Sequence, residues 1–126
     1  MTSDARPLPH WLTISTGPAP AVVDGRACRT RAAFFEEVAR ALRFPAHFGR
    51  NWDALTDCLR DVTARDGIVA LVVEHAEDLL AADPPGRFAT LLEILAESAE
   101  DGLAVTLCAT PGHDVPLRDR VTAALP

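Results

Sequence analysis

A small two-layer α/β domain built on a parallel sheet is the fold class this sequence predicts, and three observations predict it. Ile68–Val73 is a continuous apolar run, the mark of a strand in a parallel sheet covered on both faces. A helical stripe of Phe88, Leu91, Leu92, Leu95 and Ala99 separates that run from another at Leu103–Cys108, which makes a strand, helix, strand crossover unit of right hand. At 126 residues the chain is long enough for one hydrophobic core and too short for two.

The elements follow in order. Residues 1–9 carry Pro7 and Pro9 and are expected to fray. Trp11–Ser15 reads as a short strand, broken by Gly17-Pro18-Ala19-Pro20. Ala21-Val22-Val23 is a strand that runs into a turn at Asp24-Gly25. Thr30 then caps a helix that buries Phe34, Val38 and Leu42 and ends before Phe44-Pro45.

Asn51 caps a second helix, whose buried stripe is Trp52, Leu55, Leu59 and Val62. Asp66-Gly67 turns the chain into the Ile68–Val73 strand. Glu77–Ala81 reads as one short helical turn, and Asp83-Pro84-Pro85 opens the third long helix, where proline is tolerated in the first positions. Gly102 stops that helix before the Leu103–Cys108 strand. Asp114 and Pro116 start a last helix with Leu117, Val121 and Leu125 inward.

Charge and cysteine content narrow the function. Net charge is −6 and all twelve cations are arginine. An acidic surface repels phosphate backbones, so nucleic acid is not an expected partner. Residues 74–101 hold eight acids against Arg87 alone, whereas residues 1–50 hold seven arginines against four acids. This asymmetry suits capture of a basic partner by the acidic side. No apolar run is long enough to span a membrane, and the N-terminus lacks the pattern of a secretory signal, so a cytoplasmic location is expected. Cys28, Cys58 and Cys108 are widely spaced, which argues against a disulfide framework or a zinc site; Cys58 and Cys108 are expected to be buried thiols. No cofactor is expected.

The Asn51 helix carries the strongest functional signal. Asp53, Asp57 and Asp61 stand four residues apart, and the apolar stripe leaves them facing solvent with Thr56 and Arg60. Like charges at this spacing repel by about 0.2–0.5 kcal/mol per pair, and only Asp53, in the first turn, gains from the helix dipole. The fold does not account for this ridge. A solvated face, with Arg60 screening Asp57, is the alternative to a binding role.

The order Pro, aromatic loop, Gly, then Asn-x-Asp-Ala-Leu-x-Asp-Cys-Leu across Phe44–Val62 resembles the barstar family, the intracellular inhibitors of secreted bacterial ribonucleases. The match is dense over these nineteen residues and looser elsewhere. The resemblance implies a three-stranded parallel sheet packed with helices over residues 21–126, leaving residues 1–20 as an N-terminal extension that either joins the sheet through the Trp11–Ser15 strand or dangles from it. It also implies a partner: one small, basic, secreted ribonuclease, barnase-like or another microbial enzyme, bound one to one with its active site blocked.

Asp57 aligns with the family's central acidic residue, a carboxylate that takes the place of the scissile phosphate. Asp53 and Asn51 match on the same rim, and each also has a structural explanation, as dipole partner and as N-cap. Gly49 is expected to supply a positive φ that turns the loop into the helix. Glu97, by its spacing from Gly102, aligns with a second acidic contact; a solvated face fits Glu93 and Glu100. His47-Phe48 stand where the family's best-known member has two tyrosines, Thr56 where it has tryptophan, and Arg60 and Asp61 where it has a small polar residue and glycine. These departures imply a changed partner specificity. An Asp/His catalyst centred on His47 has no nucleophile, phosphate loop or metal motif beside it, so the chain is read as a non-enzyme. A barstar-like interaction module with a target other than a ribonuclease is the second reading.

Overall fold

Strands β1 (Ala21–Asp24), β2 (Val69–Glu74) and β3 (Leu103–Leu107) form one parallel sheet in the order β1-β2-β3. The computed structural model describes residues 7–14 and 19–125. Helices α1 (Arg31–Leu42), α2 (Trp52–Asp66), α3 (Pro85–Glu100) and α4 (Asp114–Ala124) complete the expected two-layer α/β fold. No helix among the described residues is long and apolar enough to cross a membrane.

Register aligns Val22, Val72 and Thr106 in one row and Val23, Val73 and Leu107 in the next. Side chains alternate along a strand, so Val23, Val69, Leu71, Val73 and Leu103 are buried in the core. On the other face Val22, Ala104 and Thr106 are exposed, and Ala70 and Val72 are only half-buried. The expectation of a sheet covered on both faces is therefore corrected for the described residues. An apolar run alone does not distinguish a strand with two covered faces from one with a single covered face and small residues on the other.

The helices begin and pack as their caps and stripes dictate. Thr30 Oγ1 accepts the Ala33 N–H at 3.2 Å, an N-cap worth about 1 kcal/mol. Phe34, Val38 and Leu42 are buried, and Phe35 joins them. Arg43, in the left-handed region at φ 56°, closes α1. Pro85 is the first residue of α3, and Gly102, at φ 118°, ends it.

The segment between β2 and α3 is bound more tightly than its sequence suggests. The expected helical turn is a 3-10 turn at Ala76–Asp78, followed by the fully buried Leu79 and Leu80. The Leu80 and Ala82 amides donate to the Cys28 and Arg29 carbonyls at 2.8 and 2.9 Å. Asp83 Oδ2 accepts the Arg31 N–H at 2.7 Å and lies 3.4 Å from Arg87. Asp83 thus satisfies an amide of the first turn of α1, a helix far away in sequence. Where β1 leaves the sheet it meets the exit of β2 so closely that a Cβ on Gly25 would lie 2.2 Å from the His75 carbonyl oxygen.

Three local expectations need correction. Among residues 11–14 there is no strand; His10 and Trp11 form a turn in which the Leu12 N–H donates to the Pro9 carbonyl at 2.9 Å. Ser15 and Gly17-Pro18 lie outside the described residues. Cys108 is exposed, because β3 is an edge strand and Cys108 continues the alternation of Ala104 and Thr106 on the open face. Leu125 is exposed because α4 ends at Ala124, whereas Leu117 is buried.

Candidate functional site

The loop and helix of residues 44–61 are built on an aromatic base. Phe48 is only 4% exposed. Its ring stands edge-on to Phe35 at 5.8 Å and to Phe44 at 5.1 Å, and Trp52 stacks edge-on to Phe35 at 5.2 Å. Such pairs contribute about 0.5–1.5 kcal/mol each beyond the area they bury. Phe48 therefore seats the loop in the core and offers almost no surface to a partner.

Asn51 starts α2 with both ends of its amide engaged. Its Oδ1 accepts the Ala54 N–H at 2.8 Å, and its Nδ2 donates to the Gly49 carbonyl at 3.3 Å. The positive φ expected at Gly49 belongs instead to Arg50, at 50°. Space explains the glycine: a Cβ there would lie 3.2 Å from Asn51 Nδ2 and 3.4 Å from the Ala54 methyl, tight enough to disturb the cap. Arg50 donates from Nε to the Glu36 carboxylate and from Nη1 to the Phe48 carbonyl, the latter at 3.3 Å. Neither Glu36 nor Arg50 stands out in the sequence, because the pair joins a helix to a loop fourteen residues away.

On this base the helix holds its charges outward. Asp53, Asp57, Arg60 and Asp61 are all exposed. The Asp57 side chain is 72% exposed, and among the described residues its one ion pair is with Arg60 at 3.6 Å. No side-chain hydrogen bond holds Asp53, Asp57 or Asp61 among the described residues. Thr56 is half-buried, its hydroxyl donating to the Trp52 carbonyl at 3.1 Å. His47 and Gly49 are exposed in the loop.

Beneath the ridge Cys58 is buried, and burial, with the Asp61 and Asp57 charges second, pushes its thiol up. A thiol kept protonated is a poor nucleophile. Glu97 is exposed on α3, the helix that packs against α2, as are Glu93 and Glu100. Among the described residues no hydrogen bond or ion pair links Glu97 to the ridge. Two clefts of the described fold lie elsewhere, one beside the C-terminal ends of α1 and α2 and the other between β3 and α4. The ridge thus presents exposed carboxylates on the surface, away from both clefts.

The model of the family described as Barstar (barnase inhibitor) matches residues 19–110. No curated protein gives a significant match. The matched span holds all three strands, the aromatic base, the ridge and Glu97, and leaves out α4 and residues 1–18. A match over so large a part of the chain, together with the three-stranded parallel sheet, establishes that this protein belongs to the barstar family.

Proposed function

We propose that this protein is an intracellular inhibitor of a small, basic, secreted ribonuclease, binding it one to one and filling its anion site with Asp57. The exposed Asp57 carboxylate on a capped and firmly seated helix is the observation that carries this reading. A ribonuclease gathers arginine, lysine and histidine around a phosphate, and a carboxylate already held in place meets them in charge-assisted hydrogen bonds at little ordering cost. Asp53, Asp61 and Glu97 extend the negative field, while His47, Gly49, Asn51, Thr56 and Arg60 form the rim that selects the partner. Inhibition is competitive with RNA and needs no cofactor, and its purpose is to protect the RNA of the cell that makes the nuclease.

The test is titration of a panel of secreted microbial ribonucleases with the wild-type protein, Asp57→Ala and Glu93→Ala. The expected result is inhibition of at least one enzyme that Asp57→Ala loses and Glu93→Ala keeps. Equal loss from both substitutions would remove Asp57 from its central place. One observation favours the second reading, an interaction module for a different target. Among the described residues no aromatic ring of this surface is fully exposed, since Phe48 is buried, Phe44 and Trp52 are half-buried and Thr56 stands beside Asp57, and aromatic rings are common anchors of interfaces. Failure to bind any member of the panel would favour that reading.

A further inference from the structure

Arg50 is a problem for any surface meant to meet a basic protein, because it places a permanent cation in the loop just before the helix that carries Asp53. Its backbone is also unusual for a residue with a side chain. The left-handed region, where Arg50 lies at φ 50°, costs about 1–2 kcal/mol outside glycine. Both features have one counterpart in the structure, the carboxylate of Glu36 on α1, which accepts from Arg50 Nε while Nη1 reaches the Phe48 carbonyl at 3.3 Å. The guanidinium is thus tied at once to α1 and to the loop's own backbone. The neighbouring carbonyl, that of Gly49, is held by Asn51 Nδ2.

We infer that Glu36 is a positioning residue of the binding surface: by holding Arg50 it fixes the residue 47–51 loop and neutralises a cation that would otherwise repel a basic partner. This rests on the ribonuclease-inhibitor reading above. The hydrogen bond with Arg50 keeps the Glu36 carboxyl below its ordinary range, so the pair is charged at neutral pH. An isolated surface pair contributes little to stability. Its weight here lies in the encounter, since charges of one sign facing a charged partner set association rates.

The inference is tested with Glu36→Ala, Arg50→Ala and the double variant. Both side chains are more than half exposed, so each variant is expected to fold. Association is followed by stopped flow with a catalytically dead basic ribonuclease that the wild type inhibits. At low salt Glu36→Ala is expected to slow association roughly 5-fold by leaving Arg50 unmatched, and the deficit is expected to shrink at about 0.5 M salt. The double variant, with no cation to mask, is expected to return to within about twofold of wild type. A Glu36→Ala rate equal to wild type, or a double variant as slow as the single one, would overturn the masking role. In the free protein, hydrogen exchange of the Phe48 and Ala54 amides, which donate to the Pro45 carbonyl and to Asn51 Oδ1, is expected to quicken in both single variants, and unchanged exchange would overturn the loop-fixing role. Asp57→Ala, measured alongside, separates the two levels. If no ribonuclease is bound by the wild type, the inhibitor reading fails and with it the role of Glu36; if one is bound, Asp57→Ala abolishes binding and Glu36→Ala is silent, only the role of Glu36 fails.

Discussion

Carboxylates at two places in this molecule have opposite fates. Around the exits of β1 and β2 they are taken up by the fold: Glu77 accepts the Thr110 N–H at 3.0 Å, and Asp83 satisfies the Arg31 amide and pairs with Arg87. On α2 the fold takes up the backbone, through Asn51 and the aromatic base, and among the described residues leaves Asp53, Asp57 and Asp61 unengaged apart from the loose contact of Asp57 with Arg60. The side chain of Asp83 is 9% exposed and that of Asp57 72%. The contrast teaches that Glu77 and Asp83 serve the structure itself, whereas the carboxylates of the ridge stay exposed to solvent. Residue type alone does not tell them apart.

Substitutions in the two regions should therefore fail differently. The largest effect is expected from Asp57→Ala, which should weaken ribonuclease binding by about 3 kcal/mol or more, as removal of a central charged anchor does, while the thermal midpoint stays within about 1 °C. Inhibition titration and a melting curve on the same sample check both halves. Asp83→Ala should do the reverse, lowering unfolding free energy by about 2 kcal/mol through loss of a charged hydrogen bond to a helix-terminal amide. Urea titration measures it, and unchanged binding by the folded variant would confirm the separation. Asn51→Ala bridges the regions and should cost about 1 kcal/mol of stability as a lost N-cap, with some loss of binding if the ridge depends on the start of α2.

The smallest effect is a dependence on pH. Hydrogen bonding from the Thr110 hydroxyl, and then from its backbone N–H, holds the Glu77 carboxyl down to about 2. A carboxylate whose folded pKa is lowered adds stability that is fully present above its unfolded value, about 4.3, and is lost as pH falls toward the folded value. Glu77→Gln should therefore lower the urea midpoint at pH 6, and the difference from wild type should close as pH approaches 2. A difference that stayed constant across this range would show that the ionised form of Glu77 is not what the fold holds.

Much of the fold was legible because it is written in local patterns. Thr30 and Asn51 announce their helices by side-chain chemistry, and the stripes of α1, α2 and α3 follow the helical period. What escaped depends on contacts between distant segments. Phe48 lies in a loop, where no periodicity marks burial, so the sequence alone does not place its ring in the core. Leu79, Leu80 and Asp83 gain their roles from the start of α1, which the chain brings beside them only when folded. The positive φ fell to Arg50 and not to Gly49 because the glycine makes room for the Asn51 amide. Cys108 looked internal because a run of apolar residues does not reveal that its strand lies at the sheet's edge. The carboxylates of the ridge were legible as a group, since their spacing exceeds anything the helix itself requires, but the link between Glu36 and Arg50 was not.

The junction at Gly25 has a consequence for how this molecule tolerates mutation. Even a methyl group there would push into the His75 carbonyl and separate the two chain crossings on which the sheet is threaded. Saturation mutagenesis followed by selection for soluble protein should accordingly return a single residue at that position while accepting many along the outer side of the sheet. Gly25 would then serve as a rivet, recognisable in any collection of surviving variants without reference to what the protein binds.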